Sequence, residues 1–493
     1  MDFLDPKKRR AHEIKLIVGY ILTGAAIVLA TVLLLYAAYG FGLNDGQVVQ
    51  NGLIFVSSAP SGAQVLVDGQ KRGTTGERLL LQSGTYTMKI EQTGYRTWQR
   101  AVTAEGGTVE HIDYPFLFPT NLQTTAVKTY ATAPGATAQS PDHRWILIEQ
   151  PGSLDAFDLY DLSNPKQVAA STITLPSGLL TASTAKQQSL KLTEWAGDNR
   201  HVLLEHTYGS NHEYVLLDTQ HLSQSVNITK VLGLTPLDQL QLQNRQYDHY
   251  FVYDTKTATL DTDMLSSPTL TPLLTHVLSF KTNGTDNVLY ITDQNAPAGQ
   301  VDAVLYQGGK SYRLRSFDSG GTYLLDLAQY SGSWFVAAGA TSEGRVYVYK
   351  DPAAQLSQSQ ASILAPITTL RVDRPDYLAF SPGFQYVVAE HGSQFAVYDA
   401  RYDKTYAYNA EATLDVPQTH ASWMDGAHLM YVSGGKLVVF DYDSANFQVL
   451  MPASAQYVSY FDQNYQTVYA LAAATNTKSS GQLQLTATPL TLQ

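Results

Sequence analysis

The hydropathy pattern changes character three times along the chain. From Leu16 to Tyr39 it runs LIVGYILTGAAIVLATVLLLYAAY, 24 positions without a charge, against the ~20 that cross a bilayer as a helix. A spanning helix is predicted. From Gly52 to about Phe118 the pattern becomes short alternating strands punctuated by glycine, as in LIFVSS, AQVLVDGQ and GTYTMKIEQTGY. In the last, Tyr86, Met88 and Ile90 share one face while Thr87, Lys89 and Glu91 share the other, the period-2 mark of a strand with one wet side. Asp68-Gly69 predicts a two-residue hairpin turn, because a type I′ turn needs positive φ at both central positions.

From about Thr120 onward one phrase recurs, an apolar strand closing on an aromatic or aliphatic residue and often aspartate. Its copies are FDLYD ending at Asp161, YVLLD at Asp218, YFVYD at Asp254, VYVYK at Lys350, FAVYD at Asp399 and LVVFD at Asp441, with looser copies at Gln307 and Thr486. Before most of them stands a second apolar run, expected as an outer partner strand (WILIEQ, HVLLEHTY, YVVAEHG), each after a turn such as SPDHR, AGDNR or SPGFQ. Closing positions lie 57, 36, 53, 43, 49, 42 and 45 residues apart, an average of about 46 that matches a four-stranded propeller blade. A blade buries both faces only against neighbours, so the blades stack in a ring. Eight repeats are counted, seven if one loose copy is an insertion. A pair of sandwiches also alternates strands and turns, but does not require even spacing.

The fold class expected is therefore mainly β, with an N-terminal transmembrane helix, a small β-sandwich and then a β-propeller. Boundaries follow: residues 1–15 as a cytoplasmic N-terminus, 16–39 as the helix, 40–51 as a linker, 52–118 as the small domain and 120–493 as the propeller. Pro115 to Pro119 form a stiff apolar connector. The last repeat supplies only three strands, near Tyr457 to Phe461, Thr467 to Ala472 and Gln482 to Thr488. The strand-like segment around Val127 precedes the first complete repeat and is expected to complete the last blade.

Orientation comes from charge. Lys7, Lys8, Arg9, Arg10 and Lys15 precede the apolar span and Asn44 and Asp45 follow it, so the positive-inside rule leaves the N-terminus in the cytoplasm and exports the rest. A cleaved signal peptide has a shorter apolar region of about 7 to 15 residues; a buried core helix is the remaining alternative. The net charge of −11 argues against a nucleic-acid partner. With no cysteine there is no disulfide framework, thiolate metal site or cysteine nucleophile.

Several motifs carry family resemblances. Pro60-Ser61-Gly62-Ala63, then VLVDG with Asp68 and Gly69, then Gly84-Thr85-Tyr86 and Gly94-Tyr95 resemble the PEGA domain, with Ser61 in place of the family's glutamate and Gly76 near where a proline usually stands. That resemblance implies a small extracytoplasmic β module with no catalytic residue. SPDHRWILIE and SPGFQYVVAE resemble the WD40-like repeats of secreted propellers. Ser316, Asp318, Gly320 and Thr322 resemble an Asp-box, which implies a structural hairpin turn braced by Asp and Thr side chains. His206 and His212 with Glu205 and Glu213 form the tightest His and carboxylate grouping, read as a solvated hairpin tip more than a metal site.

Neither a nucleophile elbow nor a phosphate loop, dinucleotide fingerprint or EF-hand appears. The expectation is a membrane-anchored envelope binding or scaffold protein without catalytic, cofactor or metal residues. Its partners are the membrane, through Leu16 to Tyr39, and an envelope protein or glycan. The alternative is a surface glycan-acting enzyme whose carboxylates come from different blades.

Overall fold

The computed structural model describes residues 6–38, 41–44, 47–235, 238–358, 364–474 and 481–492. The chain divides into two compact units, Met1–Thr120 and Asn121–Gln493.

The first unit opens with a helix, Pro6–Ala38. It begins ten residues before the apolar span because the basic residues there are good helix formers, and Arg9 pairs with Glu13 one turn on at 3.3 Å. The stretch His12–Val32 is long and apolar enough to cross a membrane, and none of it is covered by protein. Tyr39 and Asp45, used in reading the span and its flank, lie outside the described residues. The stretch 40–51, expected as a linker, instead carries strand: Phe41–Asn44 pairs antiparallel with the start of Gln47–Val56. The β-branched pair Val48-Val49 suits that role.

Gln47–Val56 continues into a sheet with Arg78–Gln82 on one side and, in parallel, Val109–Ile112. A second sheet runs Gln70–Thr74, Gln64–Val67, Gly84–Glu91, Trp98–Ala104. The residues that alternation assigned inward form one core, in which Ile54, Val65, Met88 and Ile90 are 0% exposed. Thr85 and Thr87 point to water. The expected I′ turn is present, with φ of 47° at Asp68 and 77° at Gly69.

Among its described residues the second unit holds eight successive four-stranded antiparallel sheets, the pattern of a β-propeller. Its cores lie between neighbouring sheets. Leu147 of the first sheet packs with Val202, Leu204 and Val215 of the second, while Ile146 and Ile148, on the other face of the same strand, pack with Tyr469, Leu471 and Leu485 of the eighth. Middle strands are thus buried on both faces and read as continuous apolar runs. This corrects one expectation: the WILIE-type runs are second strands in the interior of each sheet, and the outermost place belongs to the fourth.

A second correction concerns register along the repeat. The phrase ending at Asp254 occupies a second strand, His249–Asp254, whereas the other Asp-closed copies are third strands. The third strand of that sheet is Thr259–Met264, TLDTDM, whose polar residues hide it from an apolar criterion. Measured to Met264, the spacings of 36 and 53 become 46 and 43, and most of the irregularity disappears.

The two ends of the unit share one sheet. Its order is Tyr460–Phe461, Thr467–Ala473, Leu483–Pro489, Thr125–Tyr130, with Leu483 opposite Tyr130 and Ala487 opposite Thr125. The segment around Val127 supplies the missing strand and covers an edge that would otherwise template aggregation.

Candidate functional site

The recurring aspartates have structural work at the ends of the strands. Asp161 accepts the Ser163 N–H at 2.9 Å and both arms of Arg144 at 3.1 and 2.9 Å. Asp218 accepts the N–H groups of Gln220 and His221 and is gripped by Arg200. Asp399 accepts the Arg401 N–H at 2.9 Å. Each fixes the turn after the third strand. Arg144 holds the Asp161 carboxyl down to about 2. Asp218 sits at about 2 as well, because Arg200 and the two N–H groups overcome the upward push of burial.

Nearer the axis, side chains of one sheet reach the backbone of the next. Glu194 accepts Leu242 N–H at 3.0 Å, Asp326 accepts Phe380 N–H at 2.8 Å and Glu390 accepts Ala421 N–H at 2.8 and 3.0 Å. Asn283 donates to the Leu327 carbonyl at 3.0 Å and Gln139 to that of Phe461 at 2.6 Å. Burial pushes the Asp326 and Glu390 carboxyls up. None of these residues was singled out from sequence, because their partners lie one sheet away with no fixed spacing.

Glu194 belongs to the arrangement with the most chemistry. It lines a cavity of about 300 Å³ with Gln139, Pro141, Thr193, Trp195 and Arg245, contributed by three sheets. The strand Gln188–Trp195 pairs Leu192 with Leu204 but Glu194 with Leu203, so Thr193 is the extra residue of a β-bulge, which re-aims its neighbours. The Thr193 hydroxyl is buried without a partner. Arg245 comes from the third sheet's first turn, where it and Asn244 hold φ of 54° and 52°, and its carbonyl is pinned by Gly197 N–H at 2.8 Å. Burial raises the Glu194 carboxyl; the Leu242 N–H and the charges of Arg245 and Lys281 pull it back.

A wider cavity of about 710 Å³ lies along Ser279, Asp293, Gln300 and the turn Ser319 to Thr322. That turn holds the Asp-box-like residues but is not a hairpin: Ser316 and Asp318 end the fourth sheet's last strand, and Tyr323 begins the fifth sheet. Its brace is the Tyr323 hydroxyl, donating to the Asp318 carbonyl at 2.8 Å and accepting Gly321 N–H at 3.3 Å. Ser316 donates to Asp302 at 2.7 Å, and Gly320 supplies φ of 79°. The Asp318 carboxylate and Thr322 hydroxyl make no bond among the described residues.

The histidine grouping also differs from expectation. His206 and Glu213 do lie on a hairpin, Asn211 opposite Tyr208, but they are buried, 2.9 Å apart. Glu213 also accepts from Thr181 at 2.6 Å and Asn227 at 2.7 Å, so desolvation, which would raise it, is outweighed and its carboxyl is lowered. His212 turns away to the Asp238 carbonyl at 3.0 Å, and Glu205 to Lys191 at 3.9 Å. Among the described residues no group of three His, Cys, Asp or Glu could hold a metal ion.

In the first unit the motif residues hold backbone. Ala63 exchanges bonds with Thr75, Asp68 accepts Thr87 N–H at 2.8 Å, and the Gly94 carbonyl accepts from Thr120. Ser58 donates to the Pro60 carbonyl. Gly62 and Gly94 hold positive φ, Gly84 opens a strand, and Tyr95 bridges to Pro119.

No curated protein matches the chain. Solved structures similar to it include the Dos1 propeller (13% identity over 75% of this chain and 95% of that one, TM-score 0.44). The beta-propeller domain of Myceliophteria thermophila Cps50 is similar at 11% identity over 74% and 99%, TM-score 0.35. Dihydro-heme d1 dehydrogenase NirN in complex with DHE is similar at 15% identity, and this chain spans 66% of its length, as it does of this one, TM-score 0.41. Residues 51–117 match the PEGA domain model, and the chain thus carries a PEGA domain ahead of its propeller.

Proposed function

We propose that this chain is a single-pass, membrane-anchored binding or scaffold protein of the cell envelope. Residues 1–15 face the cytoplasm, the PEGA domain follows the anchor outside, and the propeller presents a face to a protein or glycan partner. The observation that carries the reading is the helix across His12–Val32, apolar, uncovered by protein and long enough to span a bilayer. The Lys-Arg cluster before it sets the direction.

Protease added to intact cells is expected to remove almost the whole protein. Protection of both units overturns the topology. For the binding role, the full-length protein in detergent is expected to retain a specific partner from solubilised envelopes, and turnover of an envelope glycan by the purified protein would instead favour the enzymatic alternative.

A further inference from the structure

The 300 Å³ cavity at the first turns of sheets one to three has three features that act together. A bulge places Thr193 out of register and leaves its hydroxyl buried and unpaired. Leu242 N–H takes only one Glu194 oxygen, Oε2. Arg245 stays exposed at the rim on a left-handed backbone that side-chain-bearing residues rarely adopt. Strain held at a cavity rim points to use.

The chemistry narrows the occupant. Carboxylate and guanidinium face the same small space, with Lys281 close enough to influence Glu194, so neither an anion nor a cation is favoured outright. What the lining offers is donors beside acceptors: five N–H on guanidinium, carboxylate lone pairs, and a hydroxyl that does both. Vicinal hydroxyls, each donor and acceptor, match such a set. We propose that this cavity binds one neutral sugar unit of a glycan. This rests on the binding-protein reading and names its ligand class.

Titration of the full-length protein in detergent with glucose, galactose, mannose and N-acetylglucosamine, followed by saturation-transfer NMR and calorimetry, tests it. At least one sugar is expected to bind saturably. Glu194→Gln keeps the acceptor for Leu242 N–H, and Arg245→Gly relieves the left-handed backbone without moving it, so neither should lower the wild-type Tm while both weaken binding at least tenfold. Thr193→Val provides a third variant should either unfold. Saturable binding by none of the four sugars, or binding unchanged in the folded variants, overturns the inference. Partner capture that persists in Glu194→Gln without any sugar binding sinks the sugar site and leaves the binding reading standing. Cleavage of a bound oligosaccharide does the reverse: it keeps the sugar site and removes the non-enzymatic reading.

Discussion

The PEGA unit and the propeller bury polar groups very differently. Among the described residues the sandwich encloses one buried polar side chain, Thr75, whereas the propeller encloses Asp158, His206, Glu213, Asp218, Asp326, Glu390, Asp399, His428 and others. Two sheets packed face to face share one largely apolar core, with Thr75 bonded to Ala63 and Ser58 as its buried polar contact. Eight sheets around an axis each have two neighbours and an inner strand crowded by others. There, carboxyl groups that bond across sheets fix how each sheet sits on the next, as the Glu194, Asp326 and Glu390 contacts do. A buried hydrogen bond adds little net stability but is costly to leave unmade, so in the propeller these bonds act as registration marks.

If that contrast holds, damage to registration should unfold the propeller and spare the sandwich. The largest effect is expected from deleting residues 482–493, which removes the strand pairing with both Thr467–Ala473 and Thr125–Tyr130. Limited proteolysis should then digest the propeller while a fragment near residues 41–120 survives; survival of a trimmed propeller would contradict the closure. Next comes Asp158→Ala. This carboxylate accepts Lys128 at 2.6 Å and Tyr130 at 2.8 Å from the closing strand, and Gln150 at 2.8 Å from its own sheet. Loss of about 3 kcal/mol is expected in urea unfolding of the propeller.

A smaller, pH-dependent effect is expected at His428, enclosed by Asp425 at 2.8 Å and Asp441 at 3.4 Å. Burial alone would lower its pKa, but the two carboxylates raise it to about 10. The folded value lies above the unfolded one of ~6.5, so the stabilisation is complete below about pH 6.5 and is lost as pH rises through 10. His428→Asn should therefore lower the urea midpoint at pH 6 and lose less between pH 7 and 10 than the wild type; parallel pH profiles would count against it. The smallest effect has the opposite sign. Phe384 is 42% exposed and holds φ of 60° in a first turn, where Asn199 sits comfortably in the equivalent turn at 58°. Phe384→Asn should raise propeller stability by up to about 1 kcal/mol, measured as a higher urea midpoint.

How much was legible in the sequence follows from the same contrast. Alternation in GTYTMKIE predicted which residues line the sandwich core, because one face is wet and the period survives. In the propeller, apolar runs locate the buried middle strands but cannot rank them: YFVYD carries the mark of a closing strand although it lies in a second strand, and the polar TLDTDM carries no mark. The sugar cavity had no signature at all. Glu194, Arg245 and Gln139 stand on three sheets, about 50 residues apart in sequence, and the bulge at Thr193 is a property of strand register. The hairpin of His206 and Glu213 was visible, but its burial was not, since Thr181 and Asn227 arrive from segments outside it.

The shared sheet of Thr125–Tyr130 and Leu483–Pro489 also sets a clock. Tyr130 must wait for Leu483, 353 residues later in the chain, and at about 5–20 residues per second that is roughly 20 to 70 seconds of synthesis. Throughout this interval the first-made strand has no partner, and the ring cannot close by any local event. The nascent chain is therefore most vulnerable to mispairing with a second copy of itself before Leu483–Pro489 emerges, and a factor that shields the segment around Val127 would act in that window alone.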